Sequence, residues 1–456
     1  MPRPLVLVHG YSDTSAVMAP LATELAARLG TGATVIALAD YITLNDYVSF
    51  TDLLVAMDAA WTDRGLPREA YSVDMVVHST GGLIARQWLA WVMGEKKDGP
   101  RGNGAEPCPV KHLCMLAPAN FGSPLAHKGE SFIGRVLKGF QANSDGPLQS
   151  GRLVLKGLEL ASPLTWNLAM KDCFSGATPF AVGKCLCTVL VGDQGYDGIA
   201  AMANENGGDG TVRVSTANLN CARVVIDFTE TPHNPGERIE ECAAKTGFGL
   251  VAGVNHATIL LNGLDAGTRA DVVSLIENAL SVEDDGFEAW CARLEVLTAQ
   301  ASAGEAGYQN LVVKCEDQEG RAIPDYVVEF YERDSDDGGL LARIFHQDAL
   351  ENVHVHSSDA SLRSLYVNCS LVLERIDRVG ETMSISVTAE PQLEKTHGRV
   401  GFRSYDDRSI GGLDVPPARI REFFKAHRTL LMTIRLRWHR GRLFRFAGPG
   451  DGVGPL

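Results

Sequence analysis

Val73-Asp-Met-Val-Val-His-Ser-Thr-Gly-Gly-Leu-Ile-Ala-Arg86 passes from a strand pattern to a helix pattern with no loop between them. The apolar run through Val77 reads as a buried strand, and a helix begins near Gly81. So sharp a turn pushes the Ser79 hydroxyl into the open above the sheet edge. It also puts the Thr80 N–H at a helix N-terminus, aimed where an oxyanion forms during attack on a carbonyl. Gly81 is needed because strand and helix approach closely there. A plain Ser–Gly turn after a buried strand carries the same local pattern, so the assignment needs support from elsewhere in the chain.

The flanking sequence gives the turn its context. Strand-length apolar runs occur at Leu5–Val8, Thr34–Leu38, Val73–Val77, Val110–Leu116, Cys187–Val191 and Ala222–Phe228. Helical stretches lie between the early ones, at Ala16–Leu29, Asp46–Asp63 and Gly82–Met93, and a last amphipathic helix spans about Ala266 to Val282. This alternation predicts an α/β fold, a mostly parallel sheet covered by helices on both faces.

Two further pieces follow in chain order. Asn206-Gly-Gly-Asp-Gly-Thr-Val-Arg-Val-Ser-Thr-Ala217 places Asp209 in a Gly-rich loop after the fifth strand, and Val254-Asn-His-Ala-Thr-Ile259 places His256 before the final helix. Each alone is ordinary, a turn former and a surface histidine. Together Ser79, Asp209 and His256 have the order of a nucleophile, an orienting acid and a base. At the amino terminus, Leu5-Val-Leu-Val-His-Gly-Tyr-Ser12 is a strand ending in His-Gly. There the Tyr11 N–H can serve as a second oxyanion donor beside that of Thr80, with His9 holding the loop shape. Asp193 and Asp197 also follow the fifth strand and compete for the role of the acid.

Five motifs resemble those of the α/β-hydrolase superfamily, in particular bacterial lipases and esterases. They are Val-His-Gly-Tyr at 8–11, His-Ser-Thr-Gly-Gly at 78–82, Leu-Ala-Pro-Ala-Asn-Phe-Gly-Ser-Pro at 116–124, Gly-Asp-Gly-Thr-Val at 208–212 and Asn-His-Ala at 255–257. The chain is also similar to the branch holding lecithin–cholesterol acyltransferases and glycosylphosphatidylinositol inositol-deacylases. The resemblance covers roughly residues 1–282. It implies that Asp209, whose Asp-Gly-Thr-Val context matches the lipase pattern, is the acid. It also implies that the loop after Leu116, with Phe121, lines the cleft. Val77 departs from the pattern, which has a small residue two places before the serine, and its β-branched side chain predicts a slightly opened turn. The expected chemistry is hydrolysis of a carboxylic ester through an acyl-enzyme. An acyltransferase using the same intermediate, and a binding protein on a hydrolase scaffold, are the alternatives. Neither a metal nor a cofactor is expected.

The remaining expectations concern organisation. Residues 126–180 interrupt the alternation with helical pieces, and Phe132, Ile133, Val136, Leu137 and Phe140 form one apolar stripe. They read as a lid over a pocket for lipidic acyl groups, with Phe132 and Phe140 touching substrate, or else as ordinary packing. Residues 283–307 read as a linker with a short helix-like segment between Gly286 and Ala299, and 308–456 as a β-rich, sandwich-like domain. In that domain Met383, Ile385 and Val387 alternate with Ser and Thr as on a half-buried strand. Net charge is −14, which excludes a nucleic-acid binder as the whole-chain reading. Charge is nonetheless concentrated: Arg419–Phe446 is strongly basic, and Ile434-Arg-Leu-Arg-Trp-His439 reads as an edge strand. Its positive face either blocks strand pairing or touches anionic membrane. No run approaches the length of a membrane span, and Leu5–Val8 leaves no room for a signal peptide, so a cytoplasmic protein is expected. The 10 cysteines are scattered and read as reduced thiols; Cys185-x-Cys187 is too tight for the usual zinc spacing.

Overall fold

The computed structural model describes residues 2–10, 15–38, 41, 46–94, 106–126, 151–176, 178–333, 339–390 and 410–437. In chain order its first strands are β1 (Leu5–Val8), β2 (Ala33–Ile36), β3 (Val73–His78), β4 (Val110–Leu116), β5 (Leu186–Gly192), β6 (Ala222–Asp227), β7 (Gly236–Glu241) and β8 (Gly247–Val251). Six of these form a sheet ordered β2-β1-β3-β4-β5-β8, parallel at every pairing. The largely apolar β1, β3, β4 and β5 are buried along their whole length, as strands covered on both faces must be. Helices α1 (Ala19–Leu29), α2 (Phe50–Asp63) and α3 (Thr80–Met93) connect the first four strands. The sheet grows one way from β1 to β2 and the other way from β1 to β3, so right-handed crossovers put α1 opposite α2 and α3. That reversal opens a crevice at the carboxyl ends of β1 and β3, where Gly10 and Ser79 lie.

One strand expected in this sheet lies elsewhere. β6 pairs in parallel with a C-terminal strand and antiparallel with β7. The C-terminal strands are β9 (Tyr308–Asp317), β10 (Tyr326–Glu332), β11 (Leu350–Val355), β12 (Leu362–Asn368), β13 (Met383–Ala389), β14 (Leu413–Val415) and β15 (Thr429–Leu436). They complete a mixed sheet ordered β11-β12-β9-β15-β6-β7 and an antiparallel one ordered β10-β13-β14. Ala222, Val224 and Ile226 therefore share a core with Val313, Phe330 and Ile385 rather than with the parallel sheet. Alternating burial of β6 separates it from the strands buried on both faces.

The helix-like segment of the linker is longer than expected, and two more expectations change. Within 283–307, Phe287–Ala301 is a helix packed on β8, with Phe287, Trp290, Cys291 and Leu294 buried. Glycines 247 and 249 let it lie close, since a Cβ at either would sit about 3 Å from Leu294. β15 is not an edge strand. It runs between β9 and β6, and Leu430, Leu431, Met432 and Ile434 are all buried. β13 is central in its sheet, so Ser384 and Ser386 are buried as well; the Ser384 hydroxyl donates to Asp414 at 2.9 Å. The described part of the insertion is helical, as expected, at Arg152–Leu158 and Pro163–Asp172. No helix among the described residues is long and apolar enough to cross a membrane.

Candidate active site

β3 ends at His78, and Ser79 follows with φ +54° and ψ −126° before α3 begins at Thr80. A positive φ on a non-glycine residue is strained and persists only where surroundings enforce it. Here the Ser79 N–H donates to Leu116 O at 3.0 Å and the Gly82 N–H to Ser79 O at 3.0 Å. Close approach explains the glycines that follow: a Cβ on Gly81 would meet Val8 O at 2.8 Å, and one on Gly82 would meet Pro118 at 2.7 Å. Val77 does not open the turn. It stays in register with Val8 and Met115 inside the sheet, and the strained torsion at Ser79 is kept.

The structure brings the three candidate residues together. Ser79 Oγ lies 3.0 Å from His256 Nε2, and His256 Nδ1 lies 2.9 Å from Asp209 Oδ2. An ionised carboxylate only accepts, so Nδ1 carries the proton and Nε2 turns its lone pair to Ser79. Asp209 Oδ1 accepts from the N–H groups of Thr211 and Val212 at 2.9 and 2.8 Å, which fixes the carboxylate plane. The His256 N–H in turn donates to Asp209 O at 3.0 Å. Ser79 is 7% exposed, His256 2% and Asp209 0%, so these bonds lie largely out of water. Asp193 is elsewhere occupied: it accepts from the Gly253 N–H at 2.8 Å and braces the turn before His256.

His78, which the sequence did not single out, braces His256 from behind. Its Nε2 donates to His256 O at 2.9 Å, and the two ring centroids are 4.7 Å apart. Burial, then the neighbouring His256 and His9, hold His78 well below the usual histidine range, so it stays neutral.

A small, mostly apolar pocket opens beside Ser79 and Thr80, lined also by Ser123, Leu125, Leu155 and Leu158. Leu155 and Leu158 come from the insertion, which thus contributes a wall. Phe121 is not among the residues that line it: its ring is buried, with the Arg86 guanidinium 5.8 Å from its centroid. Ser123, two residues later, faces the pocket instead. Tyr11, Phe132 and Phe140 lie outside the described residues.

Two buried networks hold this site, and no local motif announced either. Arg86 on α3 makes a bidentate pair with Asp172 at 2.7 and 3.0 Å and donates to Asn120 O at 2.9 Å. It ties α3, the loop after β4 and the insertion helix at one point. A lone charge in the apolar stretch Leu83–Val92 was the available signal. On the other side, the Tyr366 hydroxyl of β12 donates to Asn206 O, and Arg213 stacks on the Tyr366 ring at 3.9 Å. These contacts clasp both ends of the loop that carries Asp209. The insertion is also joined to the mixed sheet at Glu159, which is bonded to His354 at 2.7 Å and to the Ser357 hydroxyl at 2.6 Å.

No family model matches the chain, and no curated protein matches it by sequence. Solved structures do. Phospholipase PlaB from Legionella pneumophila superposes with a TM-score of 0.80 at 20% identity, covering 99% of this chain and 97% of that one. PlaB in complex with thio-NAD gives a TM-score of 0.78 at 20% identity, with the same coverage of 99% and 97%. Bacillus licheniformis lipase BlEst2 gives a TM-score of 0.36 at 17% identity, covering 60% of this chain and 92% of that one. Identity at this level speaks to fold, and the PlaB match extends over both halves of the chain: this protein has the α/β-hydrolase fold with a β-rich C-terminal part, an architecture it shares with Legionella PlaB.

Proposed function

We propose that this chain is a serine hydrolase of lipidic carboxylic esters. The continuous bonding of Ser79, His256 and Asp209 at a strained strand-to-helix turn carries the reading. His256 Nε2 takes the Ser79 proton as Oγ bonds to the ester carbonyl carbon. The carbonyl oxygen becomes an oxyanion facing the Thr80 N–H. Tyr11 is assigned as the second donor on sequence, and its neighbour Gly10 sits close to Ser79, since a Cβ added there would lie 3.5 Å from Ser79 Cβ. The imidazolium, held by Asp209, then protonates the departing alcohol as the C–O bond breaks. Water, deprotonated by His256, releases the acid and restores Ser79.

Lipidic substrate is supported by the apolar wall of Leu125, Leu155 and Leu158 beside the nucleophile. It also agrees with the name of PlaB, a phospholipase of the same architecture. Much of the described charge of the basic C-terminal stretch is held in ion pairs, while Lys425 and Arg437 are exposed. Arg435 is paired with Glu316, Arg428 with Glu241, Arg421 with Asp377, and Arg419 with Glu237 and Glu422. Ten free cysteines suit the reducing cytoplasm. Fatty-acid release from phosphatidylcholine vesicles tests the substrate class. Release above that of a Ser79→Ala control is expected; hydrolysis of short p-nitrophenyl esters alone would remove lipid from the proposal.

A further inference from the structure

Three cysteines far apart in sequence converge at the junction of the insertion and the mixed sheet. Cys173 ends the helix Pro163–Asp172, Cys221 precedes β6, and Cys242 follows β7. Their sulfur atoms all lie within 4.8 Å of one another. Main-chain bonds fix the three segments: the Cys242 N–H donates to Cys221 O at 3.1 Å, and the Ala243 N–H donates to Cys173 O at 2.7 Å. Cys173 and Cys221 are buried, and Cys242 is half-buried at the outer edge.

We propose that Cys173, Cys221 and Cys242 form a three-thiolate site for a thiophilic divalent metal ion of the zinc class. Tetrahedral zinc with Zn–S bonds of about 2.3 Å requires sulfurs roughly 3.8 Å apart, which side-chain rotation supplies from the observed spacing. The three segments converge to place three soft donors around one point, and a disulfide would join two and strand the third. Soft sulfur donors without carboxylate competition select zinc over magnesium or calcium. Asp172 is 3.4 Å from Cys173 Sγ, but Arg86 occupies both its oxygens, so the fourth position falls to water on the Cys242 side. The metal displaces three thiol protons and leaves a net charge of −1, close to the Arg86 guanidinium.

A bound ion would pin the end of the insertion helix to the β6–β7 hairpin. Through the neighbouring Asp172–Arg86 pair it would also brace the nucleophile helix. No part of this rests on the proposed hydrolysis, and the test reads metal directly. Full-length protein, reduced and stripped with chelator, is titrated with Co2+ as a spectroscopic stand-in for Zn2+. We expect a sulfur-to-cobalt charge-transfer band saturating at one equivalent, its loss on adding Zn2+, and a Zn2+-dependent rise in Tm. Cys242→Ser, the least buried of the three, should lose most of the band, while Cys291→Ser, outside the cluster, should keep it. No band in the reduced wild type overturns the proposal, as does a band of full intensity in Cys242→Ser. A disulfide within the trio that zinc does not prevent during mild oxidation also overturns it.

Discussion

Tyr366 belongs to the C-terminal part of the chain, yet it holds the loop that carries Asp209. Its hydroxyl donates to Asn206 O, three residues before Asp209, and its ring covers the guanidinium of Arg213, four residues after. Arg213 is buried, and its Nη1 and Nη2 have no hydrogen-bond partner among the described residues; only Nε is paired, with Glu205 at 2.7 Å. The aromatic face is therefore the main compensation for those two groups. A desolvated cation–π contact is worth about 2 kcal/mol, and the hydroxyl bond about 1 kcal/mol. Tyr366→Phe removes only the second and should lower kcat about fivefold if its whole worth goes into placing the loop. Tyr366→Leu removes both, about 3 kcal/mol together. Since a shift of about 1 Å in a catalytic group costs about a hundredfold, kcat should fall by that order. KM for a short p-nitrophenyl ester should barely move, because Tyr366 does not touch the pocket. Steady-state kinetics and thermal melts on both variants supply the numbers. A Tyr366→Leu protein that melts earlier but turns over like wild type would refute the link between the C-terminal sheet and the acid loop.

Other substitutions test neighbouring parts. Asp209→Asn should leave the Tm near wild type and cut kcat by about 10⁴, through loss of the partner that fixes the His256 tautomer, whereas Asp193→Asn should be mild; the reverse ranking would reassign the acid. Leu155→Gln places an amide in the pocket wall, so kcat/KM for an octanoate ester should drop about tenfold more than for an acetate ester. Burial works against the Glu159 carboxylate, but hydrogen bonds from His354 and Ser357 outweigh it and hold the group at about 2, below its ordinary 4.5. A depressed carboxylate stabilises the fold above its unfolded value, and that contribution is lost as pH falls toward the folded one. Glu159→Gln should therefore melt lower than wild type at pH 7, and the gap should narrow as pH falls below about 4.5 toward 2.

Local features were legible in the sequence to the extent that local physics produced them. The turn at Ser79, the buried strands around it and the helical character of 151–180 follow from periodicity and from glycines that close approach demands. The grouping of Ser79, Asp209 and His256 was readable because chain order constrains where each falls on such a sheet. The partner sheet of Ala222–Phe228 was not readable. An apolar strand signals burial and leaves open which sheet provides it, and β15, more than 200 residues later, decided the matter. The same applies to β15 itself: alternation of Ile434, Arg435 and Leu436 resembles an exposed edge until Glu316 on the adjacent β9 is seen pairing with Arg435 at 2.9 Å. Tyr366, Arg213 and the three converging cysteines are contacts between distant segments, and composition or spacing holds no trace of them.

Covalent labelling tests directly whether Ser79, activated by His256, is the nucleophile. Wild-type protein and Ser79→Ala are exposed to a fluorophosphonate probe, and the labelled peptide is sequenced by mass spectrometry beside an ester-hydrolysis assay and a melt. A nucleophilic Ser79 gives a single adduct, on Ser79, in the wild type. Ser79→Ala then gives no adduct and no hydrolysis, with a Tm almost unchanged because only one hydroxyl is removed. Ester hydrolysis near the wild-type rate in a folded Ser79→Ala protein, or an adduct on another residue, would contradict that role.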